Sequence, residues 1–163
     1  MDELNPQTGY ELPLAEAVAL AVREGWRQKV LIYVTRGKTE LLVVEHHAGY
    51  PEVPAGGLER GETPAQTAIR ETQEESGLGL ENPVHLASYH WTREGKSQVW
   101  HYYWLQAPLA TPDTWTHRVT SGDKDAGETF HYRFAPIHKD SLLTGHRFEE
   151  AIPKLLELLQ EAR

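Results

Sequence analysis

Cysteine does not occur among the 163 residues. That excludes disulfide staples, thiolate nucleophiles and thiolate-held metals, and it fits a reducing compartment such as the cytoplasm. Positive charge is also scarce: 16 Lys and Arg stand against 24 Asp and Glu, for a formal net charge of −8. A surface of that sign argues against a nucleic-acid backbone or an anionic membrane as the main partner. Long apolar runs are missing too, because the longest, residues 17–22, is far too short to span a bilayer. The opening segment, MDELNPQTGYELP, has neither the basic nor the apolar region of a signal peptide. No repeat, low-complexity tract or linker interrupts the chain. What is present, 39% hydrophobic and 25% charged residues, is a globular composition. The expectation is one domain over 1–163 with a real core, residues 1–25 forming an N-terminal arm and a short helix.

One stretch concentrates chemistry. Residues 56–78 read GGLERGETPAQTAIRETQEESGL, which is G-x5-E-x7-R-E-T-x-E-E-x-G-L. Its second half predicts a helix, with Thr63 as N-cap, Pro64 at the first position, Gln66 completing a capping box and Gly77 ending it. Ala65, Ala68, Ile69 and Thr72 recur at helical spacing as the buried stripe. Glu71, Glu74 and Glu75 fall at i, i+3 and i+4 and share one face. Three carboxylates so close repel one another unless a cation sits among them, and an all-oxygen set suits Mg²⁺ or Mn²⁺. Arg70, four residues before Glu74, is placed to orient a carboxylate, and Glu62 can reach back to the cluster. Gly56 and Gly57 let backbone approach a metal or a phosphate. An acidic helix face is ordinarily just solvated surface, but these features together weigh against that.

The stretch resembles the Nudix box, G-x5-E-x7-R-E-U-x-E-E-x-G-U, where U is a bulky aliphatic residue. Every specified position agrees except the first U, which is Thr72. Threonine is nearly isosteric with valine, and its hydroxyl can bond the carbonyl four residues back. The preceding residues 52–57, EVPAGG, also resemble the family's lead-in. The resemblance implies an α/β/α sandwich with a mixed β-sheet. It also implies metal-dependent hydrolysis of a pyrophosphate bond in a nucleoside diphosphate linked to another moiety. Carried over, Glu71 and Glu75 are metal ligands, and Glu74 is a ligand or holds metal-bound water. Arg70 and Glu62 orient them, and a carbonyl of Ala55 or Gly56 joins the set. The implied partner is a small-molecule nucleotide. In this family the proton acceptor often lies on the loop before a late strand. Glu128 is the first candidate, ahead of Asp123, Asp125 and Glu94. Arg36, Lys38, Arg93, Lys96 and Arg118 are candidates for the terminal phosphates, none fixed by a motif. Alternatives are a nucleotide-sugar, dinucleoside polyphosphate or RNA-cap substrate, or a non-catalytic nucleotide sensor. A sensor would be signalled by a degraded box, and this box keeps all its glutamates. A Nudix-fold isomerase of the common type would need a cysteine.

Around the box, strand and helix patterns alternate. Residues 1–12 read as a loose arm. An amphipathic helix follows, with Pro13 at its start and Gly25 at its end, covering either the domain or a homodimer partner. Residues 29–35 and 40–45 read as a hairpin. His46 and His47, being adjacent, point to opposite sides of an extended chain and are not paired as ligands. Residues 84–91 and 98–105 read as strands, the second central because both of its faces are rich in bulky residues. Residues 107–127 read as a long polar connection, 128–135 as a strand, and a helix lies within 148–162, where Pro153 starts or kinks it. Paired strands with helices before, between and after them imply a mixed sheet covered by helices.

Overall fold

The computed structural model describes residues 6, 8–45, 51–120, 127–137 and 146–161. The elements are β1 (Thr8–Leu12), α1 (Leu14–Glu24), β2 (Arg27–Arg36), β3 (Glu40–Glu45), β4 (Pro51–Glu52), β5 (Ala55–Gly57), α2 (Pro64–Ser76), β6 (Val84–Arg93), β7 (Lys96–Ala107), β8 (Thr114–Arg118), β9 (Thr129–Pro136) and α3 (Ile152–Glu161). Seven strands follow the order β1-β6-β7-β2-β3-β9-β8, with β4 paired to β3 and β5 to β2. The sheet is mixed: β2 runs parallel to β7, while the other pairings are antiparallel.

Strand alternation sorts the central side chains onto two faces. On one, Val30, Ile32 and Val34 of β2 pack with Tyr103 and Leu105 of β7 under Ala68 of α2. Val99 shares that face and is covered by Ala17 and Ala21 of α1. On the other, Leu31, Tyr33, Trp100 and Tyr102 meet Ile152, Leu155 and Leu159 of α3. Helices on both faces make the α/β/α sandwich that the resemblance implied. Two polar contacts pin the layers. The Tyr33 hydroxyl donates to Phe148 O at 2.6 Å and accepts from Ala151 N at 3.2 Å, latching the start of α3. Fully buried His101 bonds Ser88 Oγ at 2.6 Å and Gln28 Oε1 at 2.8 Å, and burial pushes its pKa down to about 3, so the ring stays neutral.

The helix over the box forms where its caps lie. Thr63 Oγ1 accepts from Gln66 N at 3.2 Å, and Gln66 Oε1 accepts from Thr63 N at 2.9 Å. Gly77 ends the helix at φ 82°, and its N–H donates to Gln73 O at 2.9 Å. The hairpin, the central β7 and the late strand are also present as expected. Pro153 lies in the first turn of α3, where its missing N–H costs nothing.

Three expectations change. Thr8–Leu12 is not a loose arm: it pairs with β6 from Thr8↔Thr92 to Leu12↔Ser88 as an edge strand. The long polar connection contains a strand, β8, paired with β9. The Thr72 hydroxyl does not bond back along the helix, and it has no partner although the residue is fully buried. Thr72→Val therefore removes an unsatisfied hydroxyl at constant shape and is expected to stabilise by about 1 kcal/mol, raising Tm by roughly 2–4 °C. His46, His47, Asp123 and Asp125 lie outside the described residues. No helix among those described is long and apolar enough to cross a membrane. Gly77→Val forces a branched residue into the left-handed region and is expected to lower Tm by roughly 4–8 °C, a cost of about 2 kcal/mol; thermal melts of the two variants check both signs.

Candidate active site

The glycine strand and the acidic helix face each other at close range. β5 is held against β2 by Lys29↔Gly57, Val30↔Gly56 and Leu31↔Ala55, and Leu58 N donates to Gln28 O at 3.2 Å. This brings Gly56 so close to α2 that a Cβ on it would overlap the Glu71 carboxyl group. A side chain here would displace the Glu71 carboxyl, so glycine suits the position for space rather than for backbone freedom. One turn on, Glu75 is buried, and Ala55 N lies 3.4 Å from its Oε1. Glu71 and Glu75, one turn apart on α2, both face the glycine strand. Burial pushes the Glu71 carboxyl up from its ordinary value, and the neighbouring Arg70 charge and the hydrogen bonds from Glu75 and Arg70 offset part of that.

Arg70 organises the other acids. Its Nε and Nη2 bond both oxygens of Glu62, at 2.5 and 2.9 Å. Its Nη1 bonds Glu71 at 2.9 Å and both oxygens of Glu74 at 3.2 Å. Nη2 also donates to Gly57 O at 3.1 Å, tying the helix to the glycine strand. The fork on Glu62, assisted by the Glu59 N–H and the Thr67 hydroxyl, holds that carboxyl down at about 2 despite partial burial. Glu62 is thus a permanent anion that fixes Arg70, and Arg70 fixes Glu71 and Glu74.

The donor set fits a hard divalent cation by its chemistry: the buried carboxylate of Glu75, the part-buried one of Glu71, a third acid beside them on the same helix face, and backbone carbonyls of a strand pressed against them. With Arg70 drawing Glu62, Glu71 and Glu74 to itself, no three acidic or histidine side chains among the described residues stand as a metal-holding group.

The expected phosphate ligands do not gather here. Arg36 lies five residues past Leu31 on β2, at the end away from β5. It is locked by both oxygens of Glu40 at 2.8 and 2.9 Å, by Asp113 at 2.7 Å, and by stacking on Phe134. Lys38 sits in the neighbouring turn. These two are placed as parts of the β2–β3 turn rather than of the site. Arg93 and Lys96 pair at the tip of the β6–β7 hairpin, beside the β2 start that carries Arg27. The Arg27 guanidinium lies against Gly57, on the opposite side of the glycine strand from Glu71. The sequence offers no sign of this, since a charged residue at a strand start is ordinary. Arg118 ends β8 and is exposed. Glu128 is exposed immediately before β9, and its carbonyl accepts from Val119 N at 2.8 Å. Two residues of β8 omitted from the expected site touch the end of α2: Trp115 Nε1 donates to Ser76 O at 2.9 Å, and His117 Nε2 lies 3.1 Å from Glu74 O.

An RNA pyrophosphohydrolase of Pseudoalteromonas translucida (strain TAC 125) is 35% identical over 72 residues, 43% of this chain; the chain spans 42% of that relative's length. Among solved structures, a mutant of the Bacillus subtilis pyrophosphohydrolase BsRppH superposes with a TM-score of 0.63 at 18% identity, covering 99% of this chain and 97% of the other. A structure described as an ADP compounds hydrolase superposes with a TM-score of 0.63 at 18% identity, covering 83% and 74%. At those identities the superpositions show the fold alone. The family model for the NUDIX domain matches residues 25–153, and since that span holds both the glycine strand and the acidic helix, the chain belongs to the NUDIX family.

Proposed function

We propose that this protein hydrolyses a pyrophosphate bond in a nucleoside diphosphate linked to another moiety, using Mg²⁺ or Mn²⁺. The observation that carries this is the pressing of Glu71 against Gly56 and of Glu75 against Ala55 N inside a box that keeps all its glutamates. The names of the similar proteins, a pyrophosphohydrolase and an ADP-compound hydrolase, support the same bond class. The intact glutamates disfavour a purely sensing role.

In this reading Glu71, Glu75 and a carbonyl of Ala55 or Gly56 would hold the cation, and Glu74 would join them directly or through water. When bound, the cation neutralises charge on the phosphoryl oxygens and makes its water more acidic. Arg70 holds Glu71 and Glu74 at the site, and Glu62 holds Arg70. The β5–α2 contact excludes bulk water from the Glu71 side, which strengthens each charge there. Glu128 takes the proton of the attacking water. Its support is positional. Its backbone carbonyl accepts from Val119 N, one residue past the strand β8 that touches the end of α2. Arg27, whose guanidinium lies against Gly57, is assigned to the distal phosphates, with Arg93 on the adjacent hairpin tip beside it; Lys38 and Arg36 are not assigned.

A screen of nucleotides, nucleotide sugars and dinucleotides with Mg²⁺ and then Mn²⁺ tests the activity. Chelator should abolish turnover and added metal restore it, and Glu75→Gln should keep the fold while kcat falls by roughly 10²-fold or more, the scale of losing a group that holds the metal. Full turnover in chelator, or by Glu75→Gln, overturns the reading. Glu128→Gln should lower kcat by roughly 10²–10⁴-fold with little change in KM; a variant within twofold of wild type would return the proton to a box glutamate.

A further inference from the structure

The last turn of α2 is a poor place for what it carries. Glu74 and Glu75 sit where the outward carbonyls give the helix end partial negative charge, and no basic residue accompanies them. A helix also leaves its final carbonyls without intrahelical partners. Gln73 O takes the Gly77 N–H. Two of the remaining carbonyls are met by side chains of a single strand. Trp115 Nε1 donates to Ser76 O at 2.9 Å and His117 Nε2 to Glu74 O at 3.1 Å. A carbonyl only accepts, so the histidine proton in this contact is on Nε2. Trp115 and His117 are alternate residues of β8 and project from one face. Trp115 is fixed by stacking on Tyr132, with ring centroids 5.3 Å apart and planes at 19°, and by Phe134 beside it. The His117 ring lies against Gly77 so closely that a Cβ there would stand 3.0 Å from its Nδ1.

We propose that Trp115 and His117 are positioning residues that clamp the last turn of α2 and so hold Glu74 and Glu75 in register for the divalent cation. The inference rests on the reading above, in which these glutamates bind that cation. Without the clamp, mutual repulsion of the carboxylates and the adverse helix dipole both favour unwinding from residue 73 onward. That would carry Glu75 off the glycine strand and Glu74 away from Arg70 while Glu71, a turn earlier, stays. Because β8 pairs with β9, the clamp also sets the spacing between the acidic helix and Glu128, which immediately precedes β9.

Three variants separate this from ordinary packing. Trp115→Phe keeps an aromatic ring on Tyr132 and deletes the donor; His117→Ala deletes the other donor; His117→Gln retains an amide that can donate. The readouts are the Mn²⁺ dissociation constant, from an electron paramagnetic resonance titration of metal-free protein, and amide hydrogen exchange along α2. His117→Ala should weaken Mn²⁺ binding about tenfold, with faster exchange confined to residues 73–78. Trp115→Phe should move both in the same direction, and His117→Gln should bind within about threefold of wild type. Unchanged Mn²⁺ binding and exchange in both deletions would overturn the clamp, as would exchange raised uniformly along α2 or a glutamine variant as weak as alanine. Should His117→Ala not fold, Trp115→Phe decides. A wild-type protein that binds Mn²⁺, obeys this pattern and hydrolyses none of the screened nucleotides would retire the proposed activity and leave the clamp standing. If it binds no Mn²⁺, the proposal that the clamp serves a cation falls.

Discussion

Several carboxylates have to share a small, partly dry space, and the fork of one guanidinium makes that tolerable. Glu62, Glu71, Glu74 and Glu75 would repel one another strongly where water is excluded. Arg70 answers with donors in fixed directions, two to Glu62, one each toward Glu71 and Glu74, and one to the Gly57 carbonyl. A lysine at this position could not serve these directions at once. The contact to Gly57 O matters as much as the ion pairs, because it joins the acidic helix to the strand it must face. The same electrostatics provides the opening for a divalent cation, which can take over the Glu74 and Glu71 charges that Arg70 now satisfies.

The sheet exists around that meeting in a particular way. β2 carries β5 at its start and β3 at its end, so one strand positions both the glycines and the hairpin that leads to β9. The helix is then held at three levels. Its start is closed by the Thr63–Gln66 capping box, its middle by Ala68 on Val30 and Ile32, and its end by the rings of β8. Most helices need only the second. This one carries charges that oppose its own dipole, and the additional contacts at its termini follow from that.

How much was legible varies with the range of the interaction. The helix over the box, from Thr63 to Gly77, was readable to the residue, because capping is decided within four residues of chain. The Glu62–Arg70 link was readable as spacing. β1 was not, since TGYEL has weak alternation and becomes a strand only by pairing with β6. β8 was hidden inside a polar connection for the same reason: its burial pattern is half exposed, and its register is set by β9. Arg36 was a candidate phosphate ligand by its charge alone, fixed by no motif, and only the fold brings Asp113 and Phe134 to it.

By itself, then, the chain determined the family box, the capped acidic helix, the two-sided central strand and the sandwich those imply, because each depends on periodicity or on contacts between near neighbours. Only the tertiary structure decided that Glu71 would abut Gly56, that Arg27 rather than Arg36 would flank the glycine strand, and that Trp115 and His117 would close the helix. Those are contacts between segments 15 to 43 residues apart. No local pattern encodes them, since their geometry follows from sheet register, which is settled by burial across the whole chain.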